Sequence, residues 1–166
     1  MSFADTLEKI ESSDLFKNFK EQYPGAELVA GFFILDFLSN DTKQTLDYKI
    51  DSKVFTFTLH NSGDITFKED KLMDISGKPK LSEIKPEVGV EVEELKGIAG
   101  VEALEHGISA KFHKIIAILQ IHDGKQVWNL TCMLEGLIIL HILIDSSSGE
   151  IIRFERKSMM DMIRKK

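Results

Sequence analysis

The stretch WNLTCMLEGLIILHILIDSSSGEII, residues 128–152, decides what kind of sheet this chain can form. Its central run, Leu137 to Ile144, is apolar at every position except His141. A strand with one face in water alternates apolar and polar residues, whereas a strand that is apolar throughout is covered on both faces. The run therefore predicts a buried strand and raises the question of what covers each of its faces.

The residues around this run predict the rest of a sheet. The segment Lys114 to Ile121, KIIAILQI, is likewise apolar on both faces, and the Asp123-Gly124 turn after it is a strong hairpin signal. The strands predicted in this half are Lys111 to His122, Gln126 to Leu134, Leu137 to Ile144 and Glu150 to Phe154. Helical spacing of apolar residues predicts one helix before them, from Val90 to His106, and another after them, from Glu155 to Lys165.

The first half of the chain has a similar order of patterns. Residues 3–22 have helical spacing, with an interruption predicted at Ser12 to Asp14 because serine and aspartate prefer helix caps to helix interiors. Four strands are predicted after this helix, at Leu28 to Leu38, at 45–50, at 54–59 and at 65–67. The second and third alternate apolar and polar residues, which predicts one buried and one solvated face.

Short sequence matches relate the two halves. Lys43-Gln44 corresponds to Lys125-Gln126, and Ser62-Gly63 corresponds to Ser148-Gly149. We therefore predict an α+β fold of two tandem cystatin-like repeats, each a helix packed on a four-stranded antiparallel meander, followed by a C-terminal helix. The predicted domains are residues 1–70 and 90–166, joined by a charged linker at 71–89.

The second half resembles a PepSY-like module over residues 91–154. The resemblance rests on Trp128 in a middle strand, on Ile144-Asp145 at the end of a strand, and on the turn Ser148-Gly149-Glu150 before Ile151-Ile152. It implies a binding or inhibitory domain without catalytic residues. The same turn also has a purely structural interpretation, in which Gly149 supplies a positive φ and Asp145 or the serines cap the turn.

Composition excludes several classes of function. The net charge of −6 argues against nonspecific binding of nucleic acid. Cys132 is the single cysteine, which excludes an intrachain disulfide and a CxxC site, and it is predicted to be inert packing. No apolar run reaches the ~18 residues of a membrane span, and the acidic N-terminus does not look like a signal peptide. We expect a cytoplasmic protein that does not insert into membranes.

No motif for catalysis or cofactor binding is present. The chain has no GxSxG, P-loop or dinucleotide-binding glycine pattern, and its five histidines have no metal-ligand spacing. We therefore predict no cofactor and no metal site, and an enzymatic activity is the weakest of three hypotheses.

The leading hypothesis is a noncatalytic protein-binding or inhibitor-like module that acts through the apolar face of the second sheet. The partner would be a second copy of the chain or another protein. The alternative is a carrier or sensor of an apolar small molecule, which requires a cavity of roughly 300 Å³ or more. The candidate contact residues lie in the apolar strands and in the methionine-rich C-terminus, and they are Trp128, Leu140, His141, Ile142, Met159, Met160 and Ile163.

Overall fold

The structure, a computed structural model, describes residues 1–39, 41–71 and 81–158. Its helices are α1 (Phe3–Glu11), α2 (Asp14–Gln22) and α3 (Leu95–Glu105), and a 3-10 turn at Val92–Glu94 precedes α3. Its strands are β1 (Glu27–Asp36), β2 (Thr42–Ile50), β3 (Lys53–Leu59), β4 (Ile65–Lys71), β5 (Phe112–His122), β6 (Lys125–Leu134), β7 (Ile138–Asp145) and β8 (Ile151–Ser158). No helix in the described part of the chain is long and apolar enough to cross a membrane.

The eight strands found in the described residues belong to one antiparallel sheet, in the order β4-β3-β2-β1-β5-β6-β7-β8. The predicted fold of two cystatin-like repeats, each with its own four-stranded sheet, is therefore wrong. The two meanders meet where β1 pairs with β5 along Gly31 to Asp36, opposite Leu119 to Lys114. Their helices are also short, since α1 and α2 have nine residues each and α3 has eleven.

The composition of β1 and β5 explains why the two meanders join. These strands are apolar at successive positions, through Phe32, Phe33 and Ile34 in β1 and through Ile115 and Ile116 in β5. As edge strands they would expose unpaired backbone groups beside apolar side chains, which favours association. Pairing the two strands removes both edges and leaves the charged strands β4 and β8 at the ends of the sheet.

The three helices that the structure describes pack on one face of the sheet and form the main core with it. Helix α2 contributes Phe16, whose ring lies 4.9 Å from that of Tyr48 and 5.4 Å from that of Phe57. The gap between α1 and α2 falls at the predicted serines, because the Ser13 hydroxyl accepts a hydrogen bond from the Phe16 N–H and caps α2. The predicted interruption of the first helix is therefore confirmed.

The C-terminal helix predicted from Glu155 is wrong over the residues that the structure describes. Residues 155–158 continue β8, which pairs with β7 from Ile138↔Ser158 to Ile144↔Ile151. The helical interpretation overlooked an alternation, in which Phe154 faces the helices whereas Arg153 and Glu155 face away from them. The remainder of that predicted helix, from residue 159 on, lies outside the described residues.

The chain between the meanders binds to both of them. Ile84 is buried, and its N–H donates to the Leu28 carbonyl of β1. The Gln126 amide of β6 makes two hydrogen bonds with the backbone of Lys85. The Glu91 carboxylate accepts hydrogen bonds from the N–H groups of Phe3 and Ala4 at the start of α1. Glu91, in the segment between the meanders, thus stabilises the N-terminus of the first helix.

Candidate functional site

The helix-free face of the sheet, here the open face, consists of the side chains that point away from α1, α2 and α3. Directly opposed residues of paired strands point to the same face, so the pairing register shows which side chains form rows across it. Three rows run from β1 through β5, β6 and β7 to β8: Phe32, Ile118, Asn129, Leu143, Arg153; Ile34, Ile116, Thr131, His141, Glu155; and Asp36, Lys114, Met133, Ile139, Lys157.

The centre of the open face is apolar. Phe32 and Ile34 of β1 lie beside Ile118 and Ile116 of β5, and these four residues are defined here as the apolar strip. All four are half-buried and belong to no part of the main core, and no described helix covers them. A contiguous apolar group that no described helix covers is a candidate contact surface.

Toward β8 the open face combines the buried apolar residues Leu143 and Ile139 of β7 with polar side chains and, on β8 itself, charged ones. A pocket of about 240 Å³ lies there, and it is called the polar pocket below. The side chains of the open face that line it belong to His122, Asn129, His141, Leu143, Arg153, Glu155 and Lys157; Ile142 also borders the pocket, although its side chain lies in the core on the other face. The three charged side chains come from β8, where the Glu155 carboxylate lies 3.7 Å from Arg153 Nε and 4.0 Å from Lys157 Nζ.

The other end of the open face is mainly polar. Asp47 of β2 is half-buried there, and its carboxylate accepts a hydrogen bond of 2.7 Å from the Thr56 hydroxyl. Burial raises the pKa of this carboxyl above its ordinary value, and the negative charge of Asp70 raises it further. Thr58 and Thr66 are directly opposed on the neighbouring strands. This end of the face therefore lacks the apolar surface of the strip.

Three of the predicted contact residues lie on the other face of the sheet. Trp128, Leu140 and Ile142 are 0% exposed and pack in the core beneath the helices. The Trp128 indole N–H donates to the Val90 carbonyl at 2.8 Å, and its ring meets that of Phe33 at 5.8 Å. These side chains stabilise the fold and are not accessible to a partner.

His141 is the one predicted contact residue that the described structure places on the open face. It is half-buried beside Thr131 and opposite Glu155, in the polar pocket. Met159, Met160 and Ile163 lie outside the described residues. The sequence analysis missed Phe32 and Ile34, although the continuous apolar pattern of β1 was a usable signal, the same signal that selected β5 and β7.

The turn that carries the PepSY-like resemblance has the predicted structural chemistry. Gly149 has a φ of +80°. The Asp145 carboxylate accepts hydrogen bonds from the Ser147 hydroxyl and from the N–H groups of Ser147 and Ser148, at 2.7, 2.8 and 3.1 Å. These bonds, with the Ser147 hydroxyl first, lower the pKa of Asp145 to about 2. The structural interpretation of the turn is thus confirmed.

Titratable groups elsewhere form no further site among the described residues. Burial raises the pKa of the Cys132 thiol to about 12, as expected for an inert cysteine in the core. No group of three or more histidine, cysteine, aspartate or glutamate residues in the described part of the chain could hold a metal ion.

Two other apolar surfaces lie on the helix side. Phe19, Tyr23, Phe55 and Phe67 line a groove of about 450 Å³ between α2 and the edge strand β4. On α3, Val101 and Leu104 are 59% and 63% exposed. Both surfaces are open to solvent and mix apolar with charged residues.

Comparison with known proteins identifies the fold only. No protein-family model matches this chain, and no curated protein matches it. The chain is similar in structure to a "putative lipoprotein" from Clostridium difficile 630, with a TM-score of 0.61 over 87% of this chain and 91% of that one, at 15% sequence identity. At this identity the likeness shows that the two chains share a fold.

Proposed function

We propose that this protein is a noncatalytic binding module whose contact surface is the open face of its sheet. The observation that carries the proposal is the apolar strip of Phe32, Ile34, Ile116 and Ile118, which no described helix covers. The other face of the same strands is filled by three helices, so the sheet already has a complete core without the strip.

The expected partner is a protein, either a second copy of the chain or another polypeptide. A broad face that is apolar at its centre and polar at its rim matches the usual anatomy of a protein interface. The resemblance of residues 91–154 to PepSY-like modules agrees with a binding or inhibitory role. In this chain the contact surface would be centred on the β1–β5 junction, where the two halves meet, and would not be confined to the second half.

A carrier or sensor of an apolar small molecule is the second candidate. It is favoured by the polar pocket, which adjoins the apolar strip along the same rows of the sheet. The pocket is smaller than the roughly 300 Å³ of a typical ligand cavity, so a ligand would have to extend over the strip as well. The word lipoprotein describes the structurally similar protein from Clostridium difficile 630. For this chain, a cytoplasmic location remains a prediction.

The test is native mass spectrometry of the protein purified from its own host, with two variants. Ile118→Lys introduces a charge into the apolar strip, and Val101→Lys introduces the same charge on the exposed side of α3. We expect a dimer or a defined complex that Ile118→Lys dissociates and Val101→Lys leaves intact. Circular dichroism shows whether both variants remain folded.

The outcomes separate the two candidates. A monomer that carries a reproducible adduct of small mass supports the carrier, provided that Ile118→Lys removes the adduct. Dissociation by Val101→Lys alone would move the contact surface to α3, and a bare monomer with neither partner nor adduct would leave the proposal without support.

A further inference from the structure

The polar pocket contains side chains that have unused hydrogen-bonding capacity. Neither the Asn129 amide nor the His141 imidazole makes a hydrogen bond within the described residues, although both are half-buried. They come from adjacent strands, because Asn129 pairs with Leu143 and Thr131 pairs with His141. Buried polar groups normally have hydrogen-bond partners. Because these two groups have none among the described residues, they can bond to a ligand or to water.

The pocket is also positively charged in a protein that is acidic overall. Arg153 and Lys157 contribute two positive charges and Glu155 one negative charge, which leaves one net positive charge apart from the imidazoles. The whole chain has a net charge of −6. The pocket thus has the opposite sign from the rest of the molecule and complements an anion.

Glu155 does not use up the donors of its two neighbours. Its contacts with Arg153 Nε and Lys157 Nζ, at 3.7 and 4.0 Å, are longer than hydrogen bonds, and all three side chains are 40–55% exposed. Such pairs are weak and exchange readily with water. The terminal nitrogens of Arg153 therefore remain able to bind a carboxylate in a bidentate manner, with Lys157 at the other side of the pocket.

The pocket and the apolar strip lie along the same rows. The row of Asn129 and Leu143 continues through Ile118 to Phe32, and the row of His141 continues through Ile116 to Ile34. From β7 to β1 there are three strand spacings of about 4.8 Å, or roughly 14 Å. A molecule of that length could place an anionic end in the pocket and an aliphatic end on the strip.

We propose that the open face binds an aliphatic carboxylic acid, with its carboxylate in the polar pocket and its chain across the apolar strip. This inference rests on the second candidate above, and it specifies the ligand class of that same face. The Arg153 guanidinium and the Lys157 ammonium neutralise the carboxylate, Asn129 and His141 bind it through their N–H groups, and the chain displaces water from Ile118, Ile116 and Phe32.

The probe is laurate, whose extended chain has about the required length, titrated by calorimetry below its micellar concentration. Acetate, octanoate and the cation dodecyltrimethylammonium are compared with it. We expect affinity to rise from acetate through octanoate to laurate, and the cation to bind much more weakly than laurate. In nitrogen–proton correlation spectra, laurate should shift the Asn129 side-chain amide and the residues of β5 to β8 on the open face.

The double variant Arg153→Gln and Lys157→Gln tests the head-group site. It should weaken laurate binding by roughly tenfold or more, the usual effect of losing charge-assisted hydrogen bonds. The matched control is Lys53→Gln and Lys68→Gln, which removes two lysines of similar exposed ion pairs near the opposite edge of the sheet. This control should bind laurate as the wild type does.

Several results would overturn the inference. They are equal binding of laurate and the cation, an affinity that does not depend on chain length, and unchanged laurate binding by the Arg153/Lys157 double variant. Absence of laurate binding together with a dimer that Ile118→Lys dissociates would refute the ligand class and leave the open face as a protein-binding surface.

Discussion

At the scale of single residues, Trp128 shows how a candidate contact residue can be a core residue. Its indole N–H is fully buried and bonds to the Val90 carbonyl, which belongs to the segment that crosses between the two meanders. Val90 is held in turn by its own N–H, which donates to the Ser146 carbonyl. The indole therefore connects the crossing segment to β6, in addition to filling the core.

We predict that Trp128→Phe lowers the free energy of unfolding by about 1–3 kcal/mol, because it leaves the buried Val90 carbonyl without a partner and also removes part of a ring that fills the core. Tyr48→Phe is the control. It also removes one side-chain hydrogen bond, but the acceptor is the exposed Glu11 carboxylate, which water can solvate, so the expected loss is about 0.5–1.5 kcal/mol. Urea unfolding followed by far-ultraviolet circular dichroism measures both. An equal loss in the two variants would show that the Val90 bond has no special importance.

Asp145 provides a pH-dependent prediction. Hydrogen bonds from Ser147 and Ser148 lower its pKa from the ordinary 3.8 to about 2 in the folded protein. A carboxyl with a lowered folded pKa stabilises the fold above its unfolded pKa, and this contribution is lost as the pH falls toward the folded pKa. The wild type should thus be more stable than Asp145→Asn near neutral pH, and the difference should shrink between about pH 5 and pH 2.

Urea unfolding of the wild type and Asp145→Asn at several pH values checks this expectation. Ser147→Ala is the matched variant, because it keeps the carboxylate and removes the hydroxyl that donates at 2.7 Å. It should reduce the pH-dependent difference without abolishing it. A difference that stays constant down to about pH 2 would contradict the assigned role of Asp145.

At the scale of elements, the outer side of α3 has two glycines, Gly97 and Gly100, at positions where the described structure leaves room for a larger side chain. A Cβ added at Gly97 or at Gly100 would meet no atom within 4 Å. Glycine costs a helix interior about 1 kcal/mol relative to alanine. We predict that Gly97→Ala and Gly100→Ala each raise the free energy of unfolding by about that amount.

Gly89→Ala is the contrasting variant. Its Cβ would lie 1.8 Å from the Ser147 carbonyl oxygen, a backbone atom that cannot move away without disturbing the turn after β7. It should destabilise the protein, whereas the two α3 variants stabilise it, and thermal unfolding distinguishes the signs. Destabilisation by Gly97→Ala or Gly100→Ala would indicate that something packs closely against the outer side of α3.

Most strands were predictable from sequence, but the faces of the continuously apolar strands were not. Alternation of Leu46 and Tyr48 with polar residues located β2 correctly, and the Asp-Gly turn placed the hairpin between β5 and β6. Between Ile138 and Ile144 of β7 every position but His141 is apolar, so the pattern has no phase to show that Leu140 and Ile142 face the helices and that His141 does not. Only the positions of the helices in three dimensions decide this.

At the scale of the whole molecule, the error was to treat two similar halves as two sheets. The apolar patterns of β1 and β5 predicted that both faces of each strand are covered. Such a pattern does not show which strand pairs with which. In the structure, helices cover one face of these two strands. The strands pair with each other, so neither is an edge strand, and their second face is the open face. The candidate site is a consequence of this joining, because the apolar strip exists only where β1 meets β5.

The continuous sheet leads to a last prediction, that the two halves unfold together. Phe57 lies in β3 and Leu130 in β6, on opposite sides of the β1–β5 junction, and both are 0% exposed. Phe57→Ala and Leu130→Ala should each lower the free energy of unfolding by about 2–5 kcal/mol.

Because the junction is a full strand pairing and residues 84–91 bind both halves, each change should lower amide-exchange protection in β1 to β3 and in β5 to β7 alike. Hydrogen exchange followed by mass spectrometry measures this, with urea unfolding expected to show one transition. If Leu130→Ala loosened only β5 to β8 and left β1 to β3 protected, the halves would be independent folding units, and the apolar strip would be a weak junction rather than the rigid floor that a binding face requires.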